Sequence, residues 1–191
     1  MAKYADLERD RCRRSRHLAG IPAALVLLVA TAASAGPVRV YQSADNASIT
    51  EGETTLDVDA DTAYAAAIDY ARWTQMFPDI ARVTITKRAG DDARVTFVHR
   101  DGNQDNVHFH NTPQAGLVWF EDTGGRATVW AEIVFIPGDR PGTTRVHSRL
   151  YADVHGLASI VVSDRQVRTL REKRVASDLA NLRAYFARPS S

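Results

Sequence analysis

The run "IDYARWTQMFPDIARVTIT", residues 68–86, decides how this chain is read. Tyr70, Trp73 and Phe77 crowd together, Pro78 follows at once, and the apolar period then changes. Upstream, residues 63–70 (AYAAAIDY) are dense in helix formers, with Asp61 and Thr62 where a cap is expected. Downstream, Ile80, Val83 and Ile85 open a series of strands. Proline stops a helix by removing a donor and crowding the preceding turn. The run is therefore an aromatic elbow between helix and strand, and the small alanines let that helix lie close on a sheet.

One strand is expected before the elbow, over residues 48–58, with Ile49, Leu56 and Val58 as its apolar residues. Six are expected after it, over 80–88, 93–100, 106–111, 117–121, 126–136 and 144–154. Turn residues such as Gly90-Asp91-Asp92, Asp101-Gly102-Asn103 and Thr123-Gly124-Gly125 punctuate them. Connections this short join antiparallel neighbours, since parallel ones need long crossovers. From 157 to 187 the pattern changes again. Ile160, Val167, Leu170, Val175, Leu179, Leu182 and Phe186 fall along one side of a long helix. Ser163 with Gln166 forms a capping box at its start, or the apolar residues 157–162 supply its first turn. From Ser163 the helix would run about 35 Å. Arg165, Arg168, Arg171, Lys173 and Arg174 are assigned mostly to its other side, as a solvated face or a docking patch for anionic headgroups.

The N-terminus reads as a secretory signal over residues 1–35. Arg11, Arg13, Arg14 and Arg16 precede an uncharged apolar run (21–32), and Ala33-Ser34-Ala35 places cleavage before Gly36. Twelve helical residues rise about 18 Å, short of the roughly 30 Å hydrocarbon core. An uncleaved anchor over 18–35 is the alternative. Removal of the leader leaves 18 of the 24 Lys and Arg against 20 of the 23 Asp and Glu, a net charge of −2. No basic run remains to follow phosphates, so nucleic acid is not an expected partner. Cys12, the single cysteine, departs with the leader. Residues 36–47 read as a linker and 48–188 as one ligand-binding domain.

The element order and the motif Asp69-Tyr70-Ala71-Arg72-Trp73 followed by Met76-Phe77-Pro78-Asp79-Ile80 resemble the START-like (SRPBCC) superfamily. Its members include pollen-allergen-like proteins, polyketide cyclases, coenzyme-Q-binding proteins and START lipid carriers. The resemblance covers residues 49–186. It implies an α+β helix-grip fold: a curved antiparallel sheet of about seven strands around a long C-terminal helix, with two short helices after the first strand. A sheet that bends away from its helix leaves a gap, which Trp73 and Phe77 would cover. Both rings are then expected in the core, and Trp73 is also a candidate for the wall of a cavity.

Strand parity selects the remaining candidates. Val129, Ala131, Ile133 and Phe135 share an apolar face, as do Val146, Ser148, Leu150, Ala152 and Val154. Ser148 and Ala152 are small for positions beside a long helix and leave space. Phe97 shares a face with His99, and Val107 with Phe109, while Trp119 and Phe120 are left undecided. The expected ligand-binding residues are thus Trp73, Phe97, His99 and Phe109, with Ile133, Phe135, Ser148, Leu150 and Ala152 on the later strands. Glu132 is expected to pair with Arg149 or His147 on the outer face.

Chemistry is harder to find. No G-x-S-x-G, phosphate loop or H-E-x-x-H pattern occurs. His108-x-His110 puts two imidazoles on one strand face, but the nearest third ligand in this order is His99, so no metal and no cofactor are expected. His155, before Gly156, reads as a turn residue. Cyclase relatives imply His99 as an acid/base candidate with Asn111 orienting it. The first reading is an exported, periplasmic carrier of a hydrophobic small molecule or lipid, with transient membrane contact and with loops 101–105 and 137–142 gating entry beside the long helix. The alternatives are a cyclase-like enzyme in the same cavity and a cavity-free interaction module.

Overall fold

Residues 36–122, 127–154 and 163–188 are described by the computed structural model. Its strands are β1 (Arg39–Gln42), β2 (Ile49–Leu56), β3 (Ile80–Ala89), β4 (Asp92–His99), β5 (Gln104–Thr112), β6 (Leu117–Asp122), β7 (Ala127–Pro137) and β8 (Thr144–Val154). They form one sheet in the order β1-β2-β8-β7-β6-β5-β4-β3. Every neighbouring pair is antiparallel.

The expected count of about seven strands is one too low. Part of the stretch expected as a linker, 36–47, is β1, which pairs with β2 from Arg39↔Glu53 to Gln42↔Thr50. Its half-exposed side chains carry no apolar run that could have marked it. The Tyr41 hydroxyl, donating to Glu53 Oε1 at 3.0 Å, ties this edge down.

Among the described residues the helices are α1 (Ala60–Ile68), α2 (Trp73–Met76) and α3 (Asp164–Phe186), with 3-10 turns over Tyr70–Arg72 and Pro113–Ala115. The N-cap of α1 is Asp59 rather than Asp61. Its carboxylate accepts from the Thr62 backbone N at 2.8 Å and the Thr62 Oγ1 at 2.7 Å. α3 starts at the expected capping box, in which the Ser163 backbone N donates to Gln166 Oε1 at 2.8 Å and the Gln166 N to Ser163 Oγ at 3.4 Å. The alternative first turn at 157–162, His155 and the Gly124-Gly125 turn lie outside the described residues.

The aromatic elbow is packed core. The Phe77 backbone N closes α2 on Trp73 O at 2.8 Å, and Pro78 ends it. The indole of Trp73 donates from Nε1 to Ala67 O at 2.9 Å, binding the elbow to the end of α1. Phe97 stacks on Trp73 at 5.0 Å, and Phe77, Phe109 and Tyr70 surround it. Each such aromatic pair adds about 0.5–1.5 kcal/mol beyond its buried area.

On the outer face the expected pair forms: Arg149 donates to Glu132 Oε1 at 2.7 Å, with Glu51 alongside. On the inner face α3 lies across β2 and β8. Gly52, in mid-β2, makes that approach possible. A Cβ there would sit 2.8 Å from Leu179 Cδ1 and closer still to Val175 Cγ1, both belonging to buried residues of α3. Gly52→Ala should therefore push α3 off the sheet and cost about 1–3 kcal/mol. Thermal unfolding should show a midpoint lowered by several degrees; an unchanged midpoint would contradict this contact.

Candidate functional site

Between α3 and the β5–β8 part of the sheet lies a cavity of about 380 Å³, within the roughly 300–1,000 Å³ range of small-molecule sites. Its apolar walls include Val129, Ile133 and Leu150 from the sheet and Val167 and Val175 from α3. Ser148 and Ala152 also line it, and their small side chains keep α3 and β8 from filling the space between them. Leu170, 62 % exposed, stands at its edge.

Four of the expected ligand residues, Ile133, Ser148, Leu150 and Ala152, are thus brought together on the wall. The other five are not. Trp73, Phe97 and Phe109 form the ring stack of the elbow, and Phe120, whose ring is 6.4 Å from Trp73, is the aromatic that faces the cavity. Phe120 is opposite Phe109 and Ala131 in register, while Trp119 pairs with His110 and Glu132 on the outer face. That settles the undecided position on β6. Phe135 packs edge-on against Tyr64 under α1, 6.4 Å between centroids.

His99 ends β4 in a clasp of carboxylates. Its Nε2 is 2.7 Å from Asp105 Oδ2 and its Nδ1 is 3.3 Å from Asp79 Oδ2. Asn111 is on β5, beside the opposite end of β4. It bonds the Tyr70 hydroxyl at 2.9 Å and Asp91 O at 2.8 Å. Seven strand steps from Asp92 to His99 span about 23 Å, so the expected His99–Asn111 pair is not assembled. His108 and His110 stand opposite Arg94 and Asp92, well away from His99 along β4, and the third ligating group beside those rings is Asp92.

Sequence reasoning missed the polar group inside the cavity. Among the arginines expected on the solvated side of the helix, Arg171 is 6 % exposed and lines the cavity wall. Its Nε, Nη1 and Nη2 donate to Thr50 Oγ1, Ala152 O and Ala47 O at 3.4, 3.0 and 3.0 Å. All three acceptors are neutral. Burial, with Arg168 adding to it, pushes the guanidinium pKa down, and the group remains a cation at neutral pH. The signal available in the sequence was its spacing of four residues from Val175 and from Val167, both on the apolar side.

A second charged group stands across the sheet, on the β4–β5 side. Arg174 joins Asp178 at 2.9 Å and Asp79 at 3.2 Å, and Asp79 in turn reaches His99. Asp105, Asp122 and Asp178 all border the cavity there. Asp178 lies seven residues beyond Arg171, about 10 Å along the helix. The cavity therefore has an apolar middle, a buried cation at one side and, at the other, carboxylates with the paired Arg174 among them.

No family model matches the chain, and no curated protein matches it. Solved structures do. A START superfamily protein from Mycobacterium smegmatis superposes with a TM-score of 0.60 at 14 % identity, over 72 % of this chain and 96 % of that one. The Zhui aromatase/cyclase of a Streptomyces species gives 0.60 at 13 %, over 77 % and 92 %. The human StarD13 lipid transfer and protein localization domain gives 0.60 at 10 %, over 81 % and 86 %. The fold is START-like. A curved open antiparallel sheet with a long C-terminal helix and short helices early in the chain defines it, in agreement with the expectation from residues 49–186. In this START-like chain the cavity occupies the space between sheet and helix.

Burial pushes the Asp178 carboxyl up from 3.8 to about 6, against the opposing pull of Arg174. A carboxyl whose folded pKa exceeds its unfolded value holds its proton more tightly in the native state. Stability then falls as pH rises from about 3.8 to about 6 and stays lower above that range. Asp178→Asn should match the wild-type melting midpoint at pH 4 and exceed it at pH 7.5, by up to about 3 kcal/mol. A loss at pH 7.5 would mean that the pair with Arg174 outweighs burial.

Proposed function

We propose that this protein is an exported carrier that holds a single-chain amphiphile, an apolar tail with an acidic head, in the cavity beneath α3. The observation that carries the reading is Arg171: a guanidinium buried in an otherwise greasy wall and bonded only to neutral acceptors. A buried cation is costly unless an opposite charge or a full set of hydrogen bonds offsets it. A carboxylate or phosphate head on Arg171 would supply that charge, whereas Arg174 on the far side is already paired with Asp178 and Asp79. The tail would lie over Val129, Ile133 and Val175. Hiding about 300 Å² of it contributes roughly 7.5 kcal/mol before binding costs, close to what micromolar affinity requires. That strength suits pick-up and release.

The reading of residues 1–35 as a cleaved signal gives the compartment, and a hydrophobic ligand implies transient contact with a membrane as its source or target. Among the described residues no helix is long and apolar enough to cross a membrane. The mature net charge keeps nucleic acid out of the proposal. A cyclase-like activity has less support, because His99 ends β4 while Asn111, on β5, lies beside the other end of that strand. The cavity itself weighs against the reading of a solid interaction module.

Binding to the full chain can be read with a long-chain fatty acid and the fatty alcohol of equal length, each displacing a fluorescent apolar probe. The acid should bind one per chain, and Ile133→Trp, which fills the cavity, should abolish it. Arg171→Met should weaken the acid by about 10–100-fold, the worth of a hydrogen bond to a charged group, and leave the alcohol unchanged. Undiminished binding by Ile133→Trp would place the ligand elsewhere. For export, the intact mass of protein recovered from the cell envelope should correspond to a chain starting at Gly36; retention of Met1 would refute cleavage.

A further inference from the structure

On the face of the sheet turned away from the cavity, three side chains able to ligate a metal converge, and the carrier reading makes no use of them. His108 and His110 stand two apart on β5, so both rings project from the same face. Their centroids are 4.1 Å apart. The register between β4 and β5 sets Asp92 directly opposite His110. A single Asp92 oxygen, Oδ1, then meets both rings: it contacts His110 Nδ1 and lies 3.9 Å from His108 Nε2. One ligand atom from each of the three residues lies within 4.8 Å of the other two. Zinc, with bonds of about 2.0–2.1 Å to nitrogen and oxygen, holds tetrahedral ligand atoms about 3.3 Å apart. A contraction of an ångström or so would close the set.

The outer surroundings also fit. The remaining nitrogen of His108, Nδ1, faces Glu121 Oε1 at 3.7 Å. Glu121 is the register partner of His108 on β6, and Trp119, the partner of His110, lies 5.2 Å from its ring. A carboxylate behind the non-ligating nitrogen fixes the tautomer and orientation of a metal-bound imidazole. An ordinary surface ion pair needs one imidazole on one carboxylate. Here two rings point at the same oxygen, the convergence that a shared cation requires. Lys87 and Arg94 border the same depression, of about 220 Å³. They oppose a bare dication and limit its affinity, and they favour an anion or hydroxide at the open fourth position.

We propose that Asp92, His108 and His110 form a two-histidine, one-carboxylate site for a divalent transition-metal ion on the outer face of the sheet, with Glu121 as a positioning residue. Imidazole with carboxylate suits zinc over magnesium or calcium. The ion would clip the start of β4 to β5, a link the sequence could not show because Asp92 and His110 meet only through strand register.

Zinc chloride titrated calorimetrically into the untagged full chain at pH 7.5 tests this. One ion per chain with a micromolar Kd is expected, and excess zinc should raise the melting midpoint. Asp92→Asn and His110→Ala should each weaken binding at least tenfold. Both change partly exposed surface residues, and an unaltered circular dichroism spectrum would verify the fold. Glu121→Gln should weaken binding a few-fold at unchanged stoichiometry. His147→Ala, on the same face but paired with Glu51, should change nothing. Absence of stoichiometric binding, or binding to the wild type that survives His110→Ala undiminished, would overturn the site.

Discussion

The contact between Gly52 and the Val175–Leu179 turn of α3 governs the rest of the molecule. With no side chain at that point of β2, the helix seats directly on the strand and is anchored over the β2–β8 part of the sheet. The strands beyond β8 curve away from it. A helix pressed close at one place and a sheet bending off at the other must either fill the gap with large side chains or leave it open. This chain does both. Under α1 and α2 the gap is closed by Trp73 and its ring neighbours; under the first half of α3 it is left open by Ser148 and Ala152.

The arrangement separates stability from binding. The elbow is dense, aromatic and fixed by hydrogen bonds from Trp73 to the end of α1 and between Tyr70 and Asn111. The cavity, by contrast, brings charged groups into contact with apolar walls, Arg171, Arg174 and Asp178 of α3 among them. Arg171 is set by three neutral acceptors from β2, the β1–β2 connection and β8, and Asp178 is held by Arg174 on the same helix. Small side chains beside a buried cation favour a guest over a tightly packed wall.

Much of this was legible in advance, for identifiable reasons. Turn residues and short links gave the meander, Ser163 with Gln166 gave the start of α3, and parity gave the inner faces of β7 and β8. The failures are physical as well. β1 is too short and too exposed to carry a period, and Asp59 caps α1 because helix entry depends on backbone direction. Arg171 hid within a run of arginines, since composition does not say which of them turns inward. Trp73 was suspected of facing a ligand because a large ring near a gap looks the same in sequence whether it seals the gap or lines it. His99 and Asn111 share a face but not an end of the sheet, and parity supplies no coordinate along a strand. The meeting of Asp92 with His110 rests on cross-strand register, which one strand's sequence does not contain.

The central claim is that the space beneath α3 admits an oily guest. A crystal of the full chain grown with a fatty acid brominated in its tail would test it through the anomalous signal of the bromine. The account predicts one strong peak between α3 and β7–β8, beside Ile133 and Val175, with the carboxylate on Arg171. A cavity closed by its own side chains, or bromine found only on the outer surface, would contradict it.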